Sequence, residues 1–277
     1  MNLGLVYWLP MAAVLTLILL ALLWLLIVAE GSYLGSRAVV FLYDRAAGVY
    51  DTVKARSARH DRRWVALPLA RTLSDVARPL VLDVATGTGR VPLLLADWPF
   101  FGGHIIGLDL SANMLSQAKQ RTREFRDVIS LTRQDALSLS FADHTFDAVS
   151  CLEGLELFPR PEKALQEMAR VLRLGGVLLF SNRVGWEAKL LPGRTYDASR
   201  LRAILHSLSL EEVRMERWQR SYDLVWARKG GGNSLRPLSI HLCRLKGRSP
   251  IALGVVGSEG VHRRPIRLAC HPVIGLS

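Results

Sequence analysis

The chain has 277 residues, half of them hydrophobic, with 36 Lys and Arg against 24 Asp and Glu and a formal net charge of +12. That length holds one ordinary domain with its own core, plus extensions at either end. The three cysteines, Cys151, Cys243 and Cys270, include no C-x-x-C pair, which excludes a disulfide framework and a cysteine zinc site; no metal is expected.

Leu9 to Ala29 is a nearly unbroken apolar run of 21 residues, and the first charge in the chain is Glu30. As a helix, such a run spans a hydrocarbon core of roughly 30 Å. A secretory signal peptide is the rival reading, but it calls for a basic leader and a shorter apolar stretch. Residues 1–36 are therefore expected to form a membrane anchor, spanning with residues 9–29, and its polar exit. Arg37, Arg45, Lys54, Arg56, Arg59, Arg62 and Arg63 all follow it. The positive-inside bias then predicts a single-pass topology with the following domain in the cytoplasm. The same cluster suits either anionic headgroups or a solvated helix face.

Residues 37–74 read as helical, and Tyr43 and Tyr50, seven apart, share one helix face. From residue 80 the pattern alternates between strands and helices, the mark of an α/β sheet. Strands are expected near 80–85, 104–109, 128–132, 146–151, 176–182, 210–217 and 221–228. Helices are expected near 90–97, 111–124, 160–173 and 197–207. Gly175-Gly176 is expected to end the third of these helices as a C-cap. The last two strands, joined around Gln219-Arg220, are expected to form a hairpin.

The densest signal is Val81-Leu82-Asp83-Val84-Ala85-Thr86-Gly87-Thr88-Gly89-Arg90, an apolar strand running into a glycine-rich turn. Asp109 closes the next strand, placed to accept hydrogen bonds from ribose hydroxyls. The third glycine of a dinucleotide loop is replaced by Pro92, so a pyrophosphate site is not expected. The loop resembles motif I of the class I S-adenosylmethionine (SAM) methyltransferases, most of all the type 11 and ubiquinone/menaquinone C-methyltransferases. Asp109-Leu110-Ser111-Ala112-Asn113-Met114-Leu115, Gln134-Asp135-Ala136, Phe146-Asp147-Ala148-Val149 and Glu167 through Gly176 resemble later blocks of that family, in family order. Tyr43-Asp44 through Tyr50-Asp51 resembles the element that precedes motif I and caps the cofactor. Where the family more often has its first glycine, this chain has Ala85.

The resemblance implies a Rossmann-like, seven-stranded methyltransferase sheet over residues 37–228, with SAM as cofactor. It implies that Asp83 orients the methionyl end, largely through the loop. Ala85, Thr86, Gly87 and Gly89 give backbone approach, and Asp109 holds ribose. Leu110 and Met114 flank the adenine, with Asp135 and Ala136 at its edge. Tyr43 and Tyr50 are substrate-side candidates or simple core contacts. Glu153 and Glu156, in the loop that borders the transferring methyl, are candidate bases or amine-orienting carboxylates; an exposed loop acid is the bland alternative for each.

Residues 229–277 carry seven of the twelve net positive charges and no aromatic residue, and they open on a Gly-rich linker. A disordered basic tail is expected there, with contact to a membrane surface as its functional alternative. With that charge set aside, the α/β core is not strongly basic and nucleic acid is not an expected partner. The expectation is thus a membrane-anchored methyltransferase acting on a small apolar or lipid-like acceptor. A catalytically inactive, membrane-tethered SAM-binding scaffold or sensor is the alternative.

Overall fold

The structure, a computed structural model, describes residues 3–54, 58–99 and 101–231. The chain divides into two units, Met1–Ile240 and His241–Ser277, and every described residue lies in the first. The expected tail beyond Gly231 lies outside the described residues.

The apolar run forms helix α1, Leu3–Leu23, which widens into a π-helical turn over Trp24–Val28. Pro10–Val28 is long and apolar enough to cross a membrane, and none of it is buried against the protein. A signal sequence meets the same criterion. The helix stops at Glu30 and Gly31, both at positive φ. A Cβ on Gly31 would press against Leu42 and Ala38 of the next helix. The chain then passes through a short 3₁₀ turn, Ser32–Leu34, into α2, Ser36–Lys54. Next come α3, Ala58–Asp61, a second π-helical turn, Arg62–Ala66, and α4, Leu67–Thr72.

The α/β part runs β1 (Leu80–Val84), α5 (Arg90–Ala96), β2 (His104–Asp109), α6 (Ala112–Arg121), β3 (Ile129–Arg133), β4 (Phe146–Cys151) and α7 (Pro161–Val171). It continues through β5 (Leu172–Arg183), α8 (Trp186–Lys189), α9 (Ala198–Ser207), β6 (Leu210–Gln219) and β7 (Tyr222–Lys229). The seven strands lie in the order β3-β2-β1-β4-β5-β7-β6. The first five are parallel, and β7 is antiparallel to both its neighbours. This is the expected Rossmann-like class I sheet. The central strand β4 is buried at every position and β1 at all but its first, which is why neither alternates apolar with polar; their polar members Asp83, Asp147 and Ser150 are buried too. One core layer gathers Leu82, Val149, Leu165, Met168 and Phe180; the other gathers Val81, Ile105, Leu179 and Trp226. Cys151 sits inside the first layer, where burial pushes its thiol pKa well up, in keeping with an inert core residue.

Several boundaries differ from expectation: α6 ends at Arg121, β5 begins at Leu172 and β6 runs to Gln219. Helix α7 ends at Val171, and Gly175-Gly176 lie within the long strand β5 rather than at a helix C-cap. Opposite them the pairing of β4 with β5 jumps from Phe146↔Leu172 to Ala148↔Val177, a bulge that the two glycines permit. Gly175 has φ +78°, and a Cβ on Gly176 would clash with Leu172, Arg173 O and Asp147 O. The final strand also runs one residue further, with Lys229 still paired to Leu210.

Candidate active site

The carboxyl ends of β1, β2 and β4 converge on one cleft, where ligands of open α/β sheets bind. The β1–α5 turn is shaped by Asp83. Its buried carboxylate accepts hydrogen bonds from Thr86 Oγ1 at 2.7 Å and Ser150 Oγ at 2.6 Å, tying the turn to β4. Burial pushes the Asp83 carboxyl up to about 6, against the pull of these two hydroxyls. Ala85 and Gly87 both take φ +54°, and the Gly87 α-carbon looks onto open space. Asp109 Oδ2 accepts the Gly87 N–H and its Oδ1 the Ser111 N–H, each at 2.9 Å. One carboxylate thereby locks the glycine turn to the start of α6. Burial raises the Asp109 carboxyl above its ordinary value, and these amides pull the other way.

The cleft measures roughly 740 Å³ with its open mouth included, and Ala85, Gly87, Asp109, Leu110, Met114, Asp135, Ala136 and Tyr43 all line it. Ser111 and Gln134, which belong to the same sequence blocks but carry no role of their own there, line it too. A smaller hollow, sharing Ala85, Gly87 and Leu152 with the first, is lined by Asp83, Thr86, Thr88 and Arg90. Gly89 lines neither hollow. It takes φ +81° as the residue before α5 and packs beside Thr122, so its part is to turn the chain.

Helix α2 roofs the cleft. Its Asp44 accepts hydrogen bonds from Ser111 Oγ and, at 3.2 Å, from Asn113 N–H, while Asn113 Nδ2 donates to Asp44 O at 3.1 Å. That clip between α2 and the N-terminus of α6 was not visible in the spacing of the tyrosines. Tyr43 Oη donates to Glu30, the residue just past the apolar helix. The side chain of Tyr50 lies outside the described residues.

A second cleft adjoins the first and shares Tyr43 and Glu153 with it. It is lined also by Glu30, Glu156, Arg183, Glu187, Arg220 and Tyr222. The two candidate carboxylates are held differently here. Glu153 Oε1 pairs with Arg90 Nη1 at 3.0 Å and accepts from Gln219 Nε2 at 3.3 Å, so it is a bound counter-ion. Glu156 is almost wholly buried in the 3₁₀ turn Leu155–Leu157. Its Oε1 accepts Tyr222 Oη at 2.5 Å, and its Oε2 has no hydrogen-bond partner. Burial raises the Glu156 carboxyl, with the Tyr222 hydrogen bond and Arg183 opposing. Tyr222, 66 residues away in β7, gave no signal in the sequence. Among the described residues no cluster of His, Cys, Asp or Glu is arranged to hold a metal ion.

The residues present suit a nucleoside carrying a positive charge. The cleft offers a carboxylate beside a glycine turn and an apolar lining that includes Leu110, Met114 and Ala136.

Comparison with known proteins agrees. Residues 82–180 match the family profile described as a methyltransferase domain. A demethylmenaquinone methyltransferase of Desulfitobacterium hafniense is 33% identical over 149 residues, covering 49% of this chain and 58% of that one. Another, of Renibacterium salmoninarum, is 39% identical over 142 residues, 51% and 56% of the two chains. A ubiquinone/menaquinone biosynthesis C-methyltransferase of Syntrophotalea carbinolica is 37% identical over 139 residues, 50% and 58% of the two. The chain thus spans less than two thirds of these relatives. Among solved structures, the cyclase SpnF superposes with a TM-score of 0.59 at 19% identity over 72% of this chain and 97% of its own. A chain of the Haloferax volcanii Trm112 methyltransferase activator complex gives 0.55 at 20% identity, over 68% and 98%. These two similarities show the fold alone, and a cyclase among them is a reminder that a fold does not dictate its chemistry. Sequence profile, curated relatives and strand order together identify residues 82–180 as a class I, SAM-dependent methyltransferase domain.

Proposed function

We propose that the chain is a membrane-anchored methyltransferase that passes the methyl group of SAM to the ring of a lipid-dissolved, quinone-type acceptor on the cytoplasmic side. The observation that carries this reading is the cleft over the glycine turn, in a chain whose apolar helix is tied at its far end, through Trp24 and the turn that follows, to the same body. Trp24 Nε1 donates to Leu190 O at 3.1 Å, Tyr33 Oη to Pro192 O at 2.8 Å and Arg194 Nη2 to Ser32 O at 2.8 Å. The names of the relatives support a quinone-type ring, and the basic residues after the helix support the orientation.

In this reading Asp109 holds the ribose hydroxyls with the lone pairs its backbone partners leave over. Leu110, Met114 and Ala136 sandwich the adenine, and Asp135 meets its edge. Asp83 works through the loop, since both its oxygens are occupied by Thr86 and Ser150. Thr86 and Gly89 shape the turn, while Ala85 and Gly87 let the ligand approach the backbone. Bound SAM supplies a methyl carbon already activated by cationic sulfur, so the protein's main task is to position the acceptor and exclude water.

The test is the full chain in lipid vesicles, supplied with methyl-labelled SAM and reduced demethylmenaquinone, followed by extraction and mass spectrometry. A ring-methylated, labelled quinol is the expected product. A preparation that binds SAM yet labels neither this probe nor an extract of native membranes would overturn the reading and leave a SAM-binding scaffold.

A further inference from the structure

The second cleft has a use that the cofactor does not require. It lies beside the cleft over the glycine turn, joined to it through Tyr43 and Glu153. Its wall includes Glu30, two residues past the end of the candidate membrane span at Val28. A molecule dissolved in the bilayer can therefore present its headgroup here without leaving the surface. The lining is polar and rich in carboxylates, so it suits a headgroup with donor hydroxyls rather than a hydrocarbon tail. One of those carboxylates is almost wholly buried and has an oxygen with no partner, Glu156 Oε2. A buried acceptor left unpaired costs about 1–3 kcal/mol, and a ligand donor would recover it.

We propose that this cleft is the acceptor site and that Glu156 Oε2 receives the proton of an acceptor ring hydroxyl, with Tyr222 fixing the carboxylate from its other oxygen. The inference rests on the methyl-transfer reading above. As the O–H proton moves to Glu156, the oxygen electron pair feeds into the ring. The adjacent ring carbon bonds the methyl carbon while the carbon–sulfur bond breaks and its electron pair stays on sulfur. The ring carbon then loses its own proton to water, the ring regains aromaticity, and the oxygen takes its proton back from Glu156. Glu153 is not available for this part because Arg90 and Gln219 hold it.

The base must be ionised to act. The groups facing it are Tyr222 on β7, Arg183 on β5 and Glu30 beyond the apolar helix, with Glu153, Glu187 and Arg220 also in the cleft. Burial moves the carboxyl upward, so the acid limb of kcat/KM is expected above the ordinary carboxylate range, with activity falling as pH drops through it.

Glu156→Gln keeps the size and the Tyr222 contact but cannot take a proton. In the vesicle assay it is expected to lose roughly 10²–10⁴-fold in transfer, the usual worth of a general base, and to lose the acid limb. SAM affinity by calorimetry is expected to stay within about twofold, well under the tenfold that 1.4 kcal/mol brings. Tyr222→Phe is expected to lower transfer less and to shift the limb further up, since the hydrogen bond that opposes burial is gone. Full-rate transfer by Glu156→Gln would overturn the proposal while leaving methyl transfer intact, and a matching loss of SAM affinity would overturn it in favour of a structural role. If wild type binds SAM but labels nothing, the function proposed above fails, and this one with it.

Discussion

The cleft over the glycine turn draws on Ala85, Gly87, Asp109, Met114 and Asp135, which follow one another through consecutive strand–helix units. The neighbouring cleft gathers Glu30, Tyr43, Glu156, Arg183 and Tyr222 from separate segments of the chain. In the first, backbone does most of the shaping. Positive φ angles set the turn, and a carboxylate is spent on two backbone amides before any ligand arrives. In the second, side chains from distant segments meet; Arg183 and Tyr222, for instance, stand opposite each other because β5 and β7 are paired antiparallel. Local backbone geometry writes itself into short motifs of glycine and acid; long-range side-chain meetings do not. If this division is real, changes in the first cleft should show in SAM binding, and changes in the second should show in transfer alone.

The largest effect on SAM binding is expected from Asp109→Ala. It removes a charge-assisted acceptor for ribose and strands the Gly87 and Ser111 amides. Hydrogen bonds to charged groups are worth about 1.5–3 kcal/mol each, so SAM affinity should fall by roughly 100-fold or more. Calorimetry decides this, and near-normal affinity would break the ribose assignment.

Asp44→Ala sharpens the comparison, because Asp44 is a long-range contact that serves the first cleft. Losing its carboxylate unclips α2 from the N-terminus of α6, while the Asn113 bond to the Asp44 backbone oxygen can persist. One or two lost hydrogen bonds, about 1 kcal/mol each, should weaken SAM binding by up to roughly 30-fold and raise amide exchange across α2. Raised exchange with unchanged affinity would show that the roof belongs to the acceptor side instead.

These assignments divide by legibility in the same way. All seven strands were readable because apolar runs and turn residues are local, and β1, β2 and β4 fall within a residue of expectation. The end of α7 was misplaced because a Gly-Gly pair fits both a helix C-cap and a bulge in a strand, and only the pairing with β4 selects the bulge. Asp109 and the Gly87 turn were readable from spacing, as was the presence of two acids after β4. What separates those acids was not. Glu153 is neutralised by Arg90, next to the glycine turn, and Glu156 by neither that arginine nor any other hydrogen-bonding cation. Asp44 and Tyr222 stayed hidden because their partners lie on elements that only the folded sheet brings near.

The smallest expected effect is the most direct test of whether backbone shapes the first cleft. Ala85 stands at φ +54°, where an L residue costs roughly 1–2 kcal/mol and glycine very little. Its methyl also faces Gly154, whose own Cβ would come within 2.9 Å of it. Ala85→Gly relieves the strain but loosens the unfolded chain by about 0.4–1 kcal/mol, so a net gain near 1 kcal/mol, and no more than about 1.6 kcal/mol, is expected. For a domain of this size that raises the thermal midpoint by about 2–4 °C, readable by calorimetry with and without SAM. A midpoint that falls instead would mean that the methyl's contact with the Gly154 loop outweighs the strain. The turn would then be held by a side-chain contact between β1 and the loop carrying Glu153 and Glu156, and the two clefts would be mechanically coupled at Ala85.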